Sequence, residues 1–361
     1  MFYVQAGASA FVDVSGISLT PTQIVVGVAA MLLAIIGYRI IIRIEGIVAY
    51  VMAANLLLLS LAAAFILPWG ELWSNTNFTI VGFLAQFGAS AAYQLAIAPM
   101  VSDYTRYLPA KISGAKVSLS VFSGTIISAI WISGFGSAVT SAYPKLDVIS
   151  GIRELGDTFG FSLGSVTLLV SMFSCLITAT LSLYSGSISL LSALEAFRPL
   201  KSGVVLRIWT LSIAGIVTLL IGLMLPSDLL ETFAVYLTML GYLLIPWTAV
   251  NLVDYYIVRR GRYSITDIMK PSGGIYGLWS WRGLVSWSLG LLAMIPFFST
   301  SLYTGPIASA LGGADISFAI GLAVSVTVYL ITTRSVNLKA EMIEVGRAKL
   351  STNSLAHNQH I

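Results

Sequence analysis

Charge is what this chain has least of. Asp, Glu, Lys and Arg make up 9% of its 361 residues, against 57% hydrophobic. Water-soluble domains are ordinarily about a quarter charged, so a chain this apolar cannot hide its surface inside a soluble globule. Cysteine occurs once, at Cys175, which excludes a disulfide framework or a cysteine metal site within one chain. Histidine occurs twice, at His357 and His360 in the tail, which leaves none for a catalytic Cys–His pair. The Gly pairs at 273–274 and 312–313 fall in loops, without the strand-to-helix context of a phosphate-binding turn. These gaps argue against an enzyme.

Long apolar runs are what the chain has instead. Nine of them, at 22–42, 46–68, 79–101, 118–142, 163–194, 205–225, 230–256, 283–299 and 307–332, read as membrane spans. The reading is an all-α integral membrane protein with about nine transmembrane helices. So many spans exclude a lone signal peptide or anchor. If the first span runs outside to inside, every Lys and Arg of the 19 except Lys145 and Arg153 falls on the cytoplasmic side, and the positive-inside rule chooses that orientation. The C-terminus is then cytoplasmic, and the polar tail after Thr333 is expected to be partly disordered. The basic residues are scattered over short inner segments, a poor design for nucleic-acid binding. Asn77-Phe78-Thr79 is a sequon expected outside.

Almost no formal charge lies deep in any span. That disfavours a carboxylate proton relay or a charged substrate held by a counter-charge. Hydroxyl, amide, aromatic and backbone groups remain, and they suit a neutral, hydrogen-bonding, planar solute. In the third span, YQLAIAPMVSDYTRYLP, Tyr93 and Gln94 lie about 15 Å from the interfacial Asp103 at 1.5 Å per residue, half of a hydrocarbon core of about 30 Å. A Tyr ring can stack on a heterocycle and Gln offers both donor and acceptor; helix–helix packing of both residues is the alternative. Gly82, Gly88 and Pro99 interrupt this span, as in carriers that build sites from broken helices. In the fifth span Ser171, Ser174, Thr178, Ser182, Ser185 and Ser189 share one helical face. Thr178 and Ser182, nearest its middle, can line a polar cavity and offer oxygen to a small cation; close small-residue packing is the alternative. The seventh span ends in NLVDYYIVRRGRY. With Asp103 and Arg106, the residues Asn251, Asp254 and Tyr255 form a candidate cytoplasmic gate that latches helices on the inner side.

Three motifs carry a family resemblance: SDYTRYLP at 102–109, LYSGSISLL at 183–191 and NLVDYYIVRRGRY at 251–263. With GGIYGLWSWRGLVSWSLGLLAMIPFF after them and GYRIIIRIEG at 37–46, the chain resembles the nucleobase–cation symporters of the purine–cytosine permease type over about 22–333. The resemblance implies an inverted-repeat secondary transporter architecture, with five-plus-five helices followed by two peripheral ones. It makes the nine spans helices four to twelve, with the family's first three absent. Residues 1–20 are then an N-terminal extracellular segment or the remnant of a preceding helix, 21–333 the transmembrane transporter domain and 334–361 a cytoplasmic tail. Tyr93 matches a stacking position that is often Trp in relatives, Gln94 the neighbouring amide, and Thr178 and Ser182 the stretch that contributes to substrate and cation binding. Relatives often carry Asn near 179 and 182, where this chain has Ala179 and Ser182.

The expected function is import of a neutral nucleobase or related heterocycle, such as cytosine, a purine or allantoin, across the plasma membrane with Na⁺ or H⁺. No cofactor or resident metal is expected. Two other readings stand beside it: a non-transporting remnant or regulatory partner, and a generic amino-acid permease-like carrier.

Overall fold

In a bilayer every backbone N–H and C=O must find its partner within the protein, and a helix does this within one segment. The apolar runs obey that rule. The computed structural model describes residues 1–346 apart from 37, 75–77, 106–107, 110, 196, 198–202, 225–228, 269 and 271, with backbone only at 38–40, 42, 102–104 and 229–232. The helices are α1 (Phe2–Ser15), α2 (Leu19–Ile36), α3 (Tyr38–Ile66), α4 (Trp69–Ser74), α5 (Ile80–Thr105), α6 (Gly114–Ala142), α7 (Val148–Phe159), α8 (Leu163–Glu195), α9 (Val204–Met224), α10 (Leu229–Leu252), α11 (Ile265–Ile268), α12 (Trp281–Met294), α13 (Pro306–Ala310) and α14 (Ser317–Thr333), followed by α15 (Leu338–Gly346). Among the described residues the only β pairing is the isolated bridge between Ser299 and Thr304.

Among the described residues seven helices are long and apolar enough to cross a membrane, and they coincide with the first seven expected spans. The last two are shorter than expected. α12 has 14 residues, extended by a 3₁₀ turn at Ile295–Phe297, and α14 has 17. α14 is followed by α15 at a bend of 79°, so the segment read as a partly disordered tail is helical to Gly346. α5 runs unbroken through Gly82, Gly88 and Pro99, so the expected interruption is not a break. The Asn77 sequon lies outside the described residues.

The chain divides into two compact units. The first comprises Met1–Asn77 and Met100–Phe233, the second Phe78–Pro99 and Ala234–Ile361. In the first, α8 is the central element, packed against α1, α2, α3, α7 and α9. Polar side chains tie its helices together: Thr167 donates to Asn55 at 2.6 Å, and the Trp131 indole donates to Ser60 at 2.9 Å. Small residues let the backbones approach. A Cβ on Gly164 would stand 2.0 Å from the Arg153 carbonyl oxygen, and one on Gly156 2.4 Å from the Gly164 nitrogen. Those contacts seat α7 on α8. Asp147 caps α7 by accepting from the Ile149 and Ser150 amides, and Arg153 ties it to Asp13 at 3.2 Å.

In the second unit α12 and α14 pack side by side. Gly290 faces Ser325 and Gly321 faces Met294, with no room for a further carbon at either glycine. Tyr242, Ile245 and Met294 form its core with Leu95, Leu291, Phe298 and Phe318 around them. Tyr242 stacks on Phe298 at 3.7 Å and donates its hydroxyl to Asp315.

Candidate functional site

The hydroxyl stripe of α8 belongs to the first unit. Thr178 is half-buried and donates back to the Ser174 carbonyl at 2.9 Å, a common local bond that leaves its oxygen lone pairs available. Ser171 donates weakly to the Met52 sulfur at 3.9 Å. Ser182 lies on the wall of a cavity of about 260 Å³ that also meets Gln5, Gln23 and Thr218; Thr178 is not among its lining residues. The fully buried hydroxyls of α8 lie elsewhere, at Thr167, Thr180 and Ser187. Among the described residues no three His, Cys, Asp or Glu side chains converge.

Tyr93 and Gln94 belong to the second unit. α5 packs there through Ala92, which abuts Gly241, and through Leu95, which joins the Tyr242 core. Tyr93 points off that packed face and keeps 37% of its surface exposed, while Gln94 is half-buried. Tyr93 is thus not consumed by the α5–α10 contact. Asp103 and Arg106 lie outside the described side chains.

The end of the seventh span carries the densest polar cluster. Residues Val253–Val258 form a π-helix, closed by the Arg259 amide bonding the Asp254 carbonyl at 2.8 Å. π-Turns add a residue to a helix and recur at functional sites. The extra residue places the Asp254 carboxylate where it accepts from Arg259, from Tyr263 at 2.8 Å and from Tyr329 of α14 at 2.7 Å. Arg259 also pairs with Glu341 of α15 at 2.6 Å and lies over the Tyr276 ring at 5.4 Å. Burial opposes the charge on Arg259, but the Glu341 hydrogen bond and the two carboxylates prevail and hold its pKa above the ordinary value. Burial, with donation to Asp254, likewise raises the Tyr263 hydroxyl. Arg260 adopts φ 52° and Gly261 φ 69° as the chain turns away. Tyr255 stacks on Tyr263 but is half exposed. Asn251 is exposed and donates to the Trp247 carbonyl one turn back. Asp254 is therefore the hub of this cluster, and Asn251 stands outside it.

Residues 7–321 match the family described as permeases for cytosine/purines, uracil, thiamine and allantoin. The chain belongs to this family. YxlA of Bacillus subtilis (strain 168), which carries the purine-cytosine permease name, is 33% identical over 332 residues, 90% of this chain and 69% of its own length. The purine-cytosine permease fcyB of Emericella nidulans is 25% identical over 263 residues, 69% of this chain and half of its own length. A solved inward-facing structure of Mhp1 superposes with TM-score 0.66 at 17% identity, over 96% of this chain and 74% of that one. The permease fold is thus the all-α, inverted-repeat transporter fold, and the family is one of carriers, not enzymes.

Four permease residues escape a reading of spans alone. Gln5 and Gln23 are buried amides, at 3% and 8% exposure, close to the ends of apolar stretches. The signal of Gln23 was available, because an amide inside a span is costly unless it is satisfied, whereas Gln5 falls before the first expected span. Tyr329 and Glu341 complete the Asp254–Arg259 cluster from α14 and α15. Nothing local in sequence marks them, since their partners lie 75 and 82 residues away.

Proposed function

We propose that the chain carries a neutral nucleobase-like heterocycle, of the cytosine, purine or allantoin class, inward across the plasma membrane together with Na⁺ or H⁺. The family match over residues 7–321 carries this reading. The chemistry of the spans supports it: hydroxyls, amides and a half-exposed tyrosine suit a neutral planar solute. Cation coupling follows from energetics. A neutral solute feels no membrane potential, whereas one co-transported charge gains about 2.3 kcal/mol per 100 mV. That supports roughly 50-fold accumulation at about 1.4 kcal/mol per tenfold. In this reading Tyr93 stacks on the solute, Gln94 reads its edge, Thr178 and Ser182 serve solute or cation, and the Asp254 cluster closes the cytoplasmic side.

Uptake of radiolabelled cytosine, adenine and allantoin by cells expressing the chain tests the reading, with and without Na⁺ and with an uncoupler. Uptake that collapses when one cation gradient is removed is expected. Uptake that is absent from cells holding the folded protein, or indifferent to every gradient, overturns it.

A further inference from the structure

A second cavity, of about 100 Å³, lies wholly within the second unit. Its wall is apolar except for Thr238, Tyr242, Ser299, Asp315 and Ser317, and among the described residues Asp315 is the one charged group on it. The three hydrogen bonds that Asp315 accepts all come from neutral donors. Oδ2 accepts from the Tyr242 hydroxyl and, at 3.1 Å, from the Ser299 amide; Oδ1 accepts from the Ser317 amide at 2.9 Å. Asp13, Asp157, Asp254, Asp267 and Glu341 each meet an Arg or a Lys, whereas Asp315 meets neither among the described residues. A carboxylate has about four lone-pair sites, so one is left, on Oδ1. Ser317, whose amide meets that same oxygen, is 1% exposed, and its hydroxyl has no hydrogen-bond partner among the described residues. Thr238 donates its hydroxyl to the Ala234 carbonyl at 2.8 Å and keeps its oxygen lone pairs.

We propose that this cavity holds a monovalent cation, Na⁺, on Asp315 Oδ1 and the hydroxyl oxygens of Ser317 and Thr238, with water completing the shell. The volume is far below the roughly 300–1,000 Å³ of sites for drug-sized molecules, yet ample for an ion and a few waters, each of which needs about 10–15 Å³ on this measure. Oxygen donors without nitrogen or sulfur select a hard cation. One carboxylate is balanced by one positive charge; a divalent ion would leave an excess charge in a wall otherwise made of Leu, Ala, Ile and Phe, which is costly. The ion also supplies what the neutral donors do not, a charge for Asp315 and a partner for Ser317. Bound there, it fastens the start of α14 to α10. The site shares no residue with the α8 stripe and does not rest on the carrier reading.

Amide exchange of the purified full chain in detergent tests the proposal, in NaCl against N-methylglucamine chloride of equal ionic strength. Exchange at 299–317 should slow saturably with Na⁺. Asp315→Asn should abolish that response. Ser317→Ala breaks no hydrogen bond, so a purely structural Asp315 would leave it silent; here it should raise the half-saturating Na⁺ roughly fivefold, the loss of one neutral contact. The response at 299–317 should persist when Thr178→Ala and Ser182→Ala are combined. No slowing in the wild type, equal slowing by N-methylglucamine, an unchanged half-saturation in Ser317→Ala, or loss of the response in the Thr178 and Ser182 variant each overturns the proposal. If Asp315→Asn fails to fold, by its thermal melt, Ser317→Ala still decides. A Na⁺ response confined to Leu163–Glu195 overturns this site and leaves the carrier reading; uptake indifferent to every cation gradient, with the response at 299–317 intact, does the reverse.

Discussion

Asp254 accepts from three side chains and is less than one fifth exposed, so its removal should be felt widely. Asp254→Asn is expected to lower stability by about 1–3 kcal/mol, because Arg259 keeps Glu341 while the two tyrosine hydroxyls lose a charged acceptor. Tyr329→Phe, which deletes one of those bonds, should cost about 1 kcal/mol. Thermal melts in detergent measure both. Asp267 makes a second prediction, in pH. Hydrogen bonds from Lys270, at 2.5 Å, and from Ser264 hold its carboxyl below its ordinary value of 3.8. A depressed pKa in the fold means that the contribution is present above that ordinary value and lost as pH falls below it. Protection of the amides at 264–268, taken relative to their intrinsic exchange rates, should therefore fall below about pH 4 in the wild type, and Asp267→Asn should remove that acid dependence. At this scale the sequence was only partly legible. Asp254 stood out because an acid beside arginines at a span end is conspicuous, whereas Glu341 sat in a polar tail with nothing to mark its distant partner.

Elements were more legible wherever a single physical rule governs them. Unbroken apolar runs had to be helices, and α2, α3, α5, α6, α8, α9 and α10 followed. α7 shows why the rest was missed. With Lys145, Asp147, Arg153, Glu154 and Asp157 in or beside it, the stretch read as an outer loop. Yet Val148, Ile152, Leu155 and Phe159 recur at helical spacing behind an Asp cap, the pattern of a helix lying on others. α12 and α14 differ for another reason: α12 gives way to a 3₁₀ turn at Pro296, and α14 begins only after Gly312 and Gly313, which composition averaged over a span conceals. The seating of α7 is itself testable. Gly164→Ala puts a methyl group against the Arg153 carbonyl, and a loss of about 3 kcal/mol is expected in thermal melts, at the upper end of overpacking costs because backbone, not a side chain, must move.

For the molecule as a whole, the distribution of basic residues makes the sharpest claim. On a Cys175→Ser background, Lys145→Cys should react with a membrane-impermeant maleimide in intact cells, and Lys339→Cys only after permeabilisation. The reverse pattern would overturn the proposed orientation. The large apolar side chains exposed along α3, α6 and α9 are the surface that lipid covers, and they require detergent for every purification named above. The π-turn at Val253–Val258 has one more consequence. Each residue in an α-helix advances the side chains by about 100°. A turn holding one residue too many therefore works as a phase slip: the helix before it and the arginines after it are indexed to different faces. Should that turn tighten to α geometry, Arg259 would swing by that step away from Asp254 while the helix stayed whole, so the tie to α14 and α15 can be released by rotation alone.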